Sequence, residues 1–187
     1  MLSTKLLFAA GIALLAGGTL AARDRPVLVV PSGETMPEID GHLDDPLWLA
    51  PVARTGAFVD DVGAPARPYS DARIARAGDY LFVALYAADE DVRTLDSFHV
   101  TLGDATFDVS ATGELHGAPE GTRAASDLDG TLDNPTDDDE EWVIELAIPL
   151  RSIGRSERIA FSADRCDTTH DGARRCAAAR RVNLVLR

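Results

Sequence analysis

From residue 26 onward the apolar positions fall in short runs rich in Val, Ile, Phe and Tyr, each closed off by Gly, Pro or Asp. That punctuation is the pattern of β-strands separated by tight turns. It predicts strands over 27–30, 57–59, 72–75, 80–87, 97–102, 105–110, 142–149, 159–166 and 182–186. Ala77-Gly78-Asp79 and Leu102-Gly103-Asp104 supply the permissive backbone of hairpin turns between neighbouring runs. Strands at this spacing predict an all-β chain, an antiparallel β-sandwich or barrel. Helix is limited to about one turn at Asp45-Pro46-Leu47-Trp48-Leu49-Ala50, where an acidic cap precedes a first-turn proline. Within 142–149, Trp142, Ile144, Leu146 and Ile148 share one parity, so they form an apolar face while Glu145 points the other way. Pro149 then ends the strand.

The N-terminus departs from this pattern. Lys5 precedes an unbroken apolar stretch, Leu6 to Leu15, followed by small residues up to Ala22. This order is that of a secretory signal peptide, with cleavage after Ala21 or Ala22, and the run is too short to span a bilayer. The expected organisation is a signal peptide over 1–22 and one domain over 23–187, exported to a periplasm or secreted, with no membrane insertion after cleavage. About 165 residues are enough to bury a single core.

Charge narrows the partners. The chain carries a formal net charge of −13, and its one Lys lies in the expected signal peptide. Nucleic acid and anionic membrane surfaces are poor matches for such a domain. Cys166 and Cys176 are the two cysteines, and a close, even pair in an exported chain predicts one structural disulfide. An acidic stretch, 127–141, runs directly into Trp142, and an arginine group comprises Arg165, Arg174, Arg175, Arg180 and Arg181. The two can face each other within the fold or be separate solvated surfaces.

Ile39-Asp40-Gly41-His42-Leu43-Asp44-Asp45-Pro46-Leu47-Trp48-Leu49-Ala50 resembles the opening signature of carbohydrate-binding module family 9, I-D-G-x-L-D-D-P-x-W-x-x-A. Tyr80 to Asp89 is similar to that family's central strand, and Asp96-Ser97-Phe98-His99-Val100 to the acidic-led strand that follows. Gly130-Thr131-Leu132-Asp133, Asp137 to Glu141 and Trp142 to Leu150 resemble the family's "GTxN…D…WxxExAIPw" segment. The resemblance implies a DOMON-like sandwich that binds saccharide without catalysing a reaction. Members that bind sugar hold a chain end between two tryptophans on loops, whereas Trp48 and Trp142 here occupy signature positions that read as core.

Tyr69, in the Pro68-Tyr69 turn, is therefore the aromatic best placed to stack on a pyranose, with Phe58 behind it and Glu145 as a polar partner. Calcium is the candidate cofactor, because Asp127, Asp129, Asp133, Asp137, Asp138 and Asp139 bring hard oxygen ligands close together and some members of the resembled family are calcium-stabilised. Their spacing is not that of an EF-hand. Two alternatives remain: a structural or interaction domain that has lost the sugar site, and a haem-binding electron-transfer domain. The latter would use Met36 with a histidine such as His99, since some DOMON-like relatives hold haem in that manner. No nucleophile elbow, zinc-binding His pair or framed carboxylate pair points to an enzyme.

Overall fold

The computed structural model describes residues 25–154, 156–169 and 171–187; the expected signal peptide lies outside these residues. Twelve strands are formed among the described residues: β1 (Val27–Val30), β2 (Ala53–Arg54), β3 (Ser70–Ala77), β4 (Tyr80–Ala88), β5 (Ser97–Leu102), β6 (Ala105–Ser110), β7 (Leu115–His116), β8 (Arg123–Asp129), β9 (Glu141–Pro149), β10 (Ile159–Thr168), β11 (Arg174–Ala178) and β12 (Val182–Leu186). One four-residue helix, α1 (Pro46–Leu49), has its proline in the first turn as expected. Asp45 at its N-terminus makes no side-chain cap; its Oδ2 accepts instead from the Glu38 amide.

Two sheets stack as a sandwich. The larger runs β1-β12-β10-β5-β6-β7, with β11 also paired to β10, and the smaller runs β2-β3-β4-β9-β8. Pairing is antiparallel throughout except that β1 lies parallel to β12. The two predicted hairpins form in register, Ala77 opposite Tyr80 and Leu102 opposite Ala105, each with a glycine at positive φ in the first turn position. Four predicted strands, 27–30, 97–102, 105–110 and 182–186, have the expected bounds, and the others except 57–59 are longer by one to four residues. The 57–59 run is not a strand of either sheet: Val59 makes only single bridges, to Pro65 and Ala178, while β2 forms four residues upstream.

The main core lies between the sheets. Leu81, Val83 and Leu85 of β4 and Trp142, Ile144 and Leu146 of β9 meet Phe98, Val100, Phe107 and Phe161 from the larger sheet. The Trp142 ring lies 4.7 Å from that of Phe98. A second cluster covers the outer face of the smaller sheet, where Leu47 and Trp48 of α1 pack on Ala75, Phe82, Ala84 and Ala147. Trp48 thus covers the back of a sheet and does not close an end of the sandwich. Strand β9 is consequently buried on both faces, as its unbroken run of buried positions shows.

Candidate ligand-binding cleft

Three strands of the sandwich carry their inward parity past the end of the apolar core and place charged groups there. On β4 the series Leu81, Val83, Leu85, Ala87 continues to Asp89; on β5, Phe98 and Val100 extend back to Asp96; on β10, Ile159, Phe161 and Ala163 continue to Arg165 and Asp167. All four charged residues are buried, Arg165 with only 2% of its surface exposed. The carboxylates of Asp89, Asp96 and Asp167 each place an oxygen within 4.8 Å of the others.

Arg165 ties the two sheets together at this end. Its Nη1 donates to Ser70 Oγ at 3.1 Å and to the Ala88 carbonyl at 2.7 Å, and its Nη2 to Asp89 Oδ2 at 2.8 Å. The Trp142 indole N–H donates to that same Asp89 oxygen at 3.1 Å. Asp89 Oδ1 accepts from the Asp91 amide. Asp96 accepts from the amides of Thr168, at 2.7 Å, and Arg93, at 2.8 Å. Burial, with Asp89 and Asp167 close by, holds the Asp96 carboxyl up at about 6 despite those two amides. Burial also raises Asp167, against the pull of Arg165.

This set does not fit a hard dication. Calcium takes about six to eight oxygen ligands, whereas both oxygens of Asp89 and of Asp96 already accept hydrogen bonds and a guanidinium stands among them. Among the described residues no other group of three carboxylate, imidazole or thiol ligands converges in this way.

Above this charged layer opens a cleft of about 990 Å³. Asp89 and Asp167 reach its floor. One wall is the loop 65–69, with a cis Arg67–Pro68 peptide; the others come from 89–91, from Pro135, Asp137 and Asp138, and from Thr169, Asp171 and Arg175. Among the described residues, seven carboxylates and two guanidinium groups line it. Tyr69, 44% exposed, stands in this wall and leans on Tyr86 at 6.0 Å between ring centres. Burial and the neighbouring Asp71 raise the Tyr69 phenol above its ordinary value.

Of the residues singled out in the sequence, Tyr69 alone among the aromatic candidates faces the cleft. Phe58 is fully buried, edge-on to Phe98, and has no face to offer a ligand. Glu145 is also fully buried, on the opposite side of the smaller sheet. It accepts from the Trp48 indole at 2.8 Å and from the amides of Asp40 and Gly41 at 3.2 and 3.3 Å. Gly41 can lie there because a Cβ at this position would come within 2.5 Å of the Asp127 amide nitrogen. Both tryptophans are core residues, so neither offers an indole face to a ligand.

The acidic stretch is divided among several tasks. Asp127 and Asp129 belong to β8, and Asp127 lies 3.4 Å from His42. Asp133 receives the Thr94 amide and hydroxyl, and Asp139 receives the amides of Val92 and Thr131. Asp137 accepts from Thr131 and, with Asp138, faces the cleft opposite Arg175. Of the charged residues in the acidic stretch and the arginine group only these three line the cleft, with no ion pair between the two groups among the described residues. Cys166 and Cys176 form the expected disulfide, joining directly opposed residues of β10 and β11 beside this wall. Met36 lies against the β3–β4 turn, whereas His99 sits on the larger sheet and pairs with Asp108 at 2.7 Å.

No family model matches the sequence, and no curated protein matches it. Solved structures do. A carbohydrate-binding module of family 9 from Caldicellulosiruptor kristjanssonii, in complex with cellotriose, aligns with a TM-score of 0.65 and 12% identity over 86% of this chain and 93% of that one. A family 9 module from the same organism, in complex with glucose, gives 0.62 and 11% over 85% and 95%. A protein from Bacteroides uniformis proposed to bind carbohydrate gives 0.58 and 13% over 88% and 100%. The chain therefore has the fold of a family 9 carbohydrate-binding module, and at this identity the likeness is one of fold.

Proposed function

We propose that the protein is a noncatalytic saccharide-binding domain that works outside the cytoplasm, and that the cleft beside Tyr69 is its ligand site. The observation that carries this reading is the cleft itself, where one half-exposed aromatic ring adjoins a dense row of hydrogen-bond acceptors. A pyranose presents an apolar face suited to stacking on a tyrosine and a rim of hydroxyl donors suited to carboxylates. The solved neighbours of this fold, one holding cellotriose and one glucose, support the same choice. A noncatalytic role accords with the floor, where Asp89 is committed to an indole, a guanidinium and an amide. The disulfide and the signal-like N-terminus support a location outside the cytoplasm. No helix among the described residues is long and apolar enough to cross a membrane.

Titration calorimetry with neutral, amino and uronic oligosaccharides tests the reading. At least one class should bind, and Tyr69→Ala should weaken that binding by about tenfold, the value of one stacked ring, without lowering the melting temperature. Flat heats across the whole panel would refute it.

A further inference from the structure

The floor of the cleft holds a carboxylate that the fold leaves unanswered. Asp167 is 6% exposed and lines the cleft, yet its Oδ1 has no hydrogen-bond partner. The nearest cation, Arg165 Nη2, is 3.8 Å away, beyond hydrogen-bond reach. Leaving a buried acceptor unmatched is costly, and more so for a charged group, so a cation brought against this carboxylate from the cleft offsets part of that cost. The surroundings fix the sign of the donor. Among the described residues, seven carboxylates against two guanidinium groups in the lining give the cleft a negative field that concentrates cations and repels uronate or sulfated sugars.

From this geometry we infer that the cleft selects saccharides bearing a free amino group, the simplest being an oligomer of glucosamine, with the ammonium seated on Asp167 and the ring against Tyr69. The inference rests on the saccharide reading and adds the substrate class to it. An ammonium carries three N–H donors, a single charge and no acceptor, which suits a carboxylate at the cleft floor with one oxygen unmatched. A metal dication meets the opposite conditions, since it needs several free oxygens and brings twice the charge toward Arg165. A hydroxyl can donate to Asp167 but brings no charge to match the walls.

The test compares, at neutral pH where part of the sugar amine is protonated, a glucosamine oligomer with its N-acetylated counterpart and a cello-oligosaccharide of equal length. The aminated oligomer should bind at least about tenfold more tightly, as expected of a hydrogen bond to a charged group. Added salt should erode only the part of this advantage that comes from the exposed walls. In D167N the advantage should collapse, while D137N/D138N, altered only at the outer wall, should keep it at high salt. Equal affinity for the three oligomers would overturn the inference and leave the saccharide reading standing; no binding to any saccharide would overturn both. A lysine tetrapeptide binding as tightly as the glucosamine oligomer would assign the site to charge alone and overturn it. So would a calcium-induced rise in melting temperature that D167N abolishes. Should D167N fail to fold, the ligand series on the unaltered protein decides the question.

Discussion

The smaller sheet carries a buried tryptophan–carboxylate pair on each side. On its outer face the Trp48 indole donates to Glu145, which also receives two loop amides and, among the described residues, pairs with no cation. Facing the larger sheet, the Trp142 indole donates to Asp89, which shares its oxygen with Arg165 and adjoins Asp96 and Asp167. The first pair is sealed by the 38–52 segment and α1, so it anchors the signature loop to the sheet. The second opens onto a cleft and leaves Asp167 Oδ1 unmatched. Similar bonds thus serve different ends, and what separates them is whether the charge is satisfied locally.

Removing the cation should expose this difference most strongly. Arg165→Met keeps most of the stem but leaves Asp89 and Asp167 buried without their guanidinium, which should cost about 3–5 kcal/mol in urea unfolding at neutral pH. The cost should shrink on acidification as Asp167, whose carboxyl burial raises, takes up a proton. A loss below about 1 kcal/mol would mean that Arg165 does not hold this end of the sandwich.

The next effect is on the pH profile. Asp96 is held at about 6, above its ordinary 3.8, so the folded state binds that proton more tightly than the unfolded chain. Its contribution is full below the ordinary value and is lost as pH rises through about 6. Asp167 and Glu145, both raised by burial, act in the same direction. Asp133 and Asp171 are lowered by hydrogen bonds and act oppositely, costing stability only at still lower pH. Stability should therefore increase by about 2 kcal/mol between pH 7.5 and about pH 5, read as a higher urea midpoint. A flat profile, or one that falls over this interval, would contradict the buried carboxylate layer.

How far the sequence reaches follows from the same parity. The alternations of β5 and β10 are plain because each contributes one face to the core, β4 and β9 stand out as apolar runs buried on both faces, and the hairpin turns have their glycines where needed. Strands β8 and β11 are hidden: β8 is an edge strand with five half-buried residues in a row, and β11 begins with two arginines and carries a disulfide. Their place is set by pairing with β9 and β10, which no local pattern announces. The signature loop is legible as a motif, but a short helix does not record which side of a sheet it will cover. Of the cleft, Tyr69 was readable as an aromatic in a turn. Its floor was missed because Asp167 lies far along the chain from Asp89 and Asp96, yet a signal existed: each continues the inward parity of its strand beyond the last apolar residue.

The smallest expected effect separates the two tryptophans. Trp48→Phe removes one donor from Glu145 and should cost about 1–2 kcal/mol at neutral pH, the price of leaving a buried charge short of a bond. The indole bond is among the forces that hold the Glu145 pKa down against burial, so its loss lets the pKa climb further. A protonated Glu145 needs fewer donors, and the cost should diminish at about pH 5. Trp142→Phe leaves Asp89 with its guanidinium and the Asp91 amide, so its cost should not diminish in that way. Urea titrations of both variants at the two pH values check the contrast. An unchanged cost for Trp48→Phe on acidification would show that the indole does not sustain the Glu145 charge, and would erase the distinction between the closed pair and the open one.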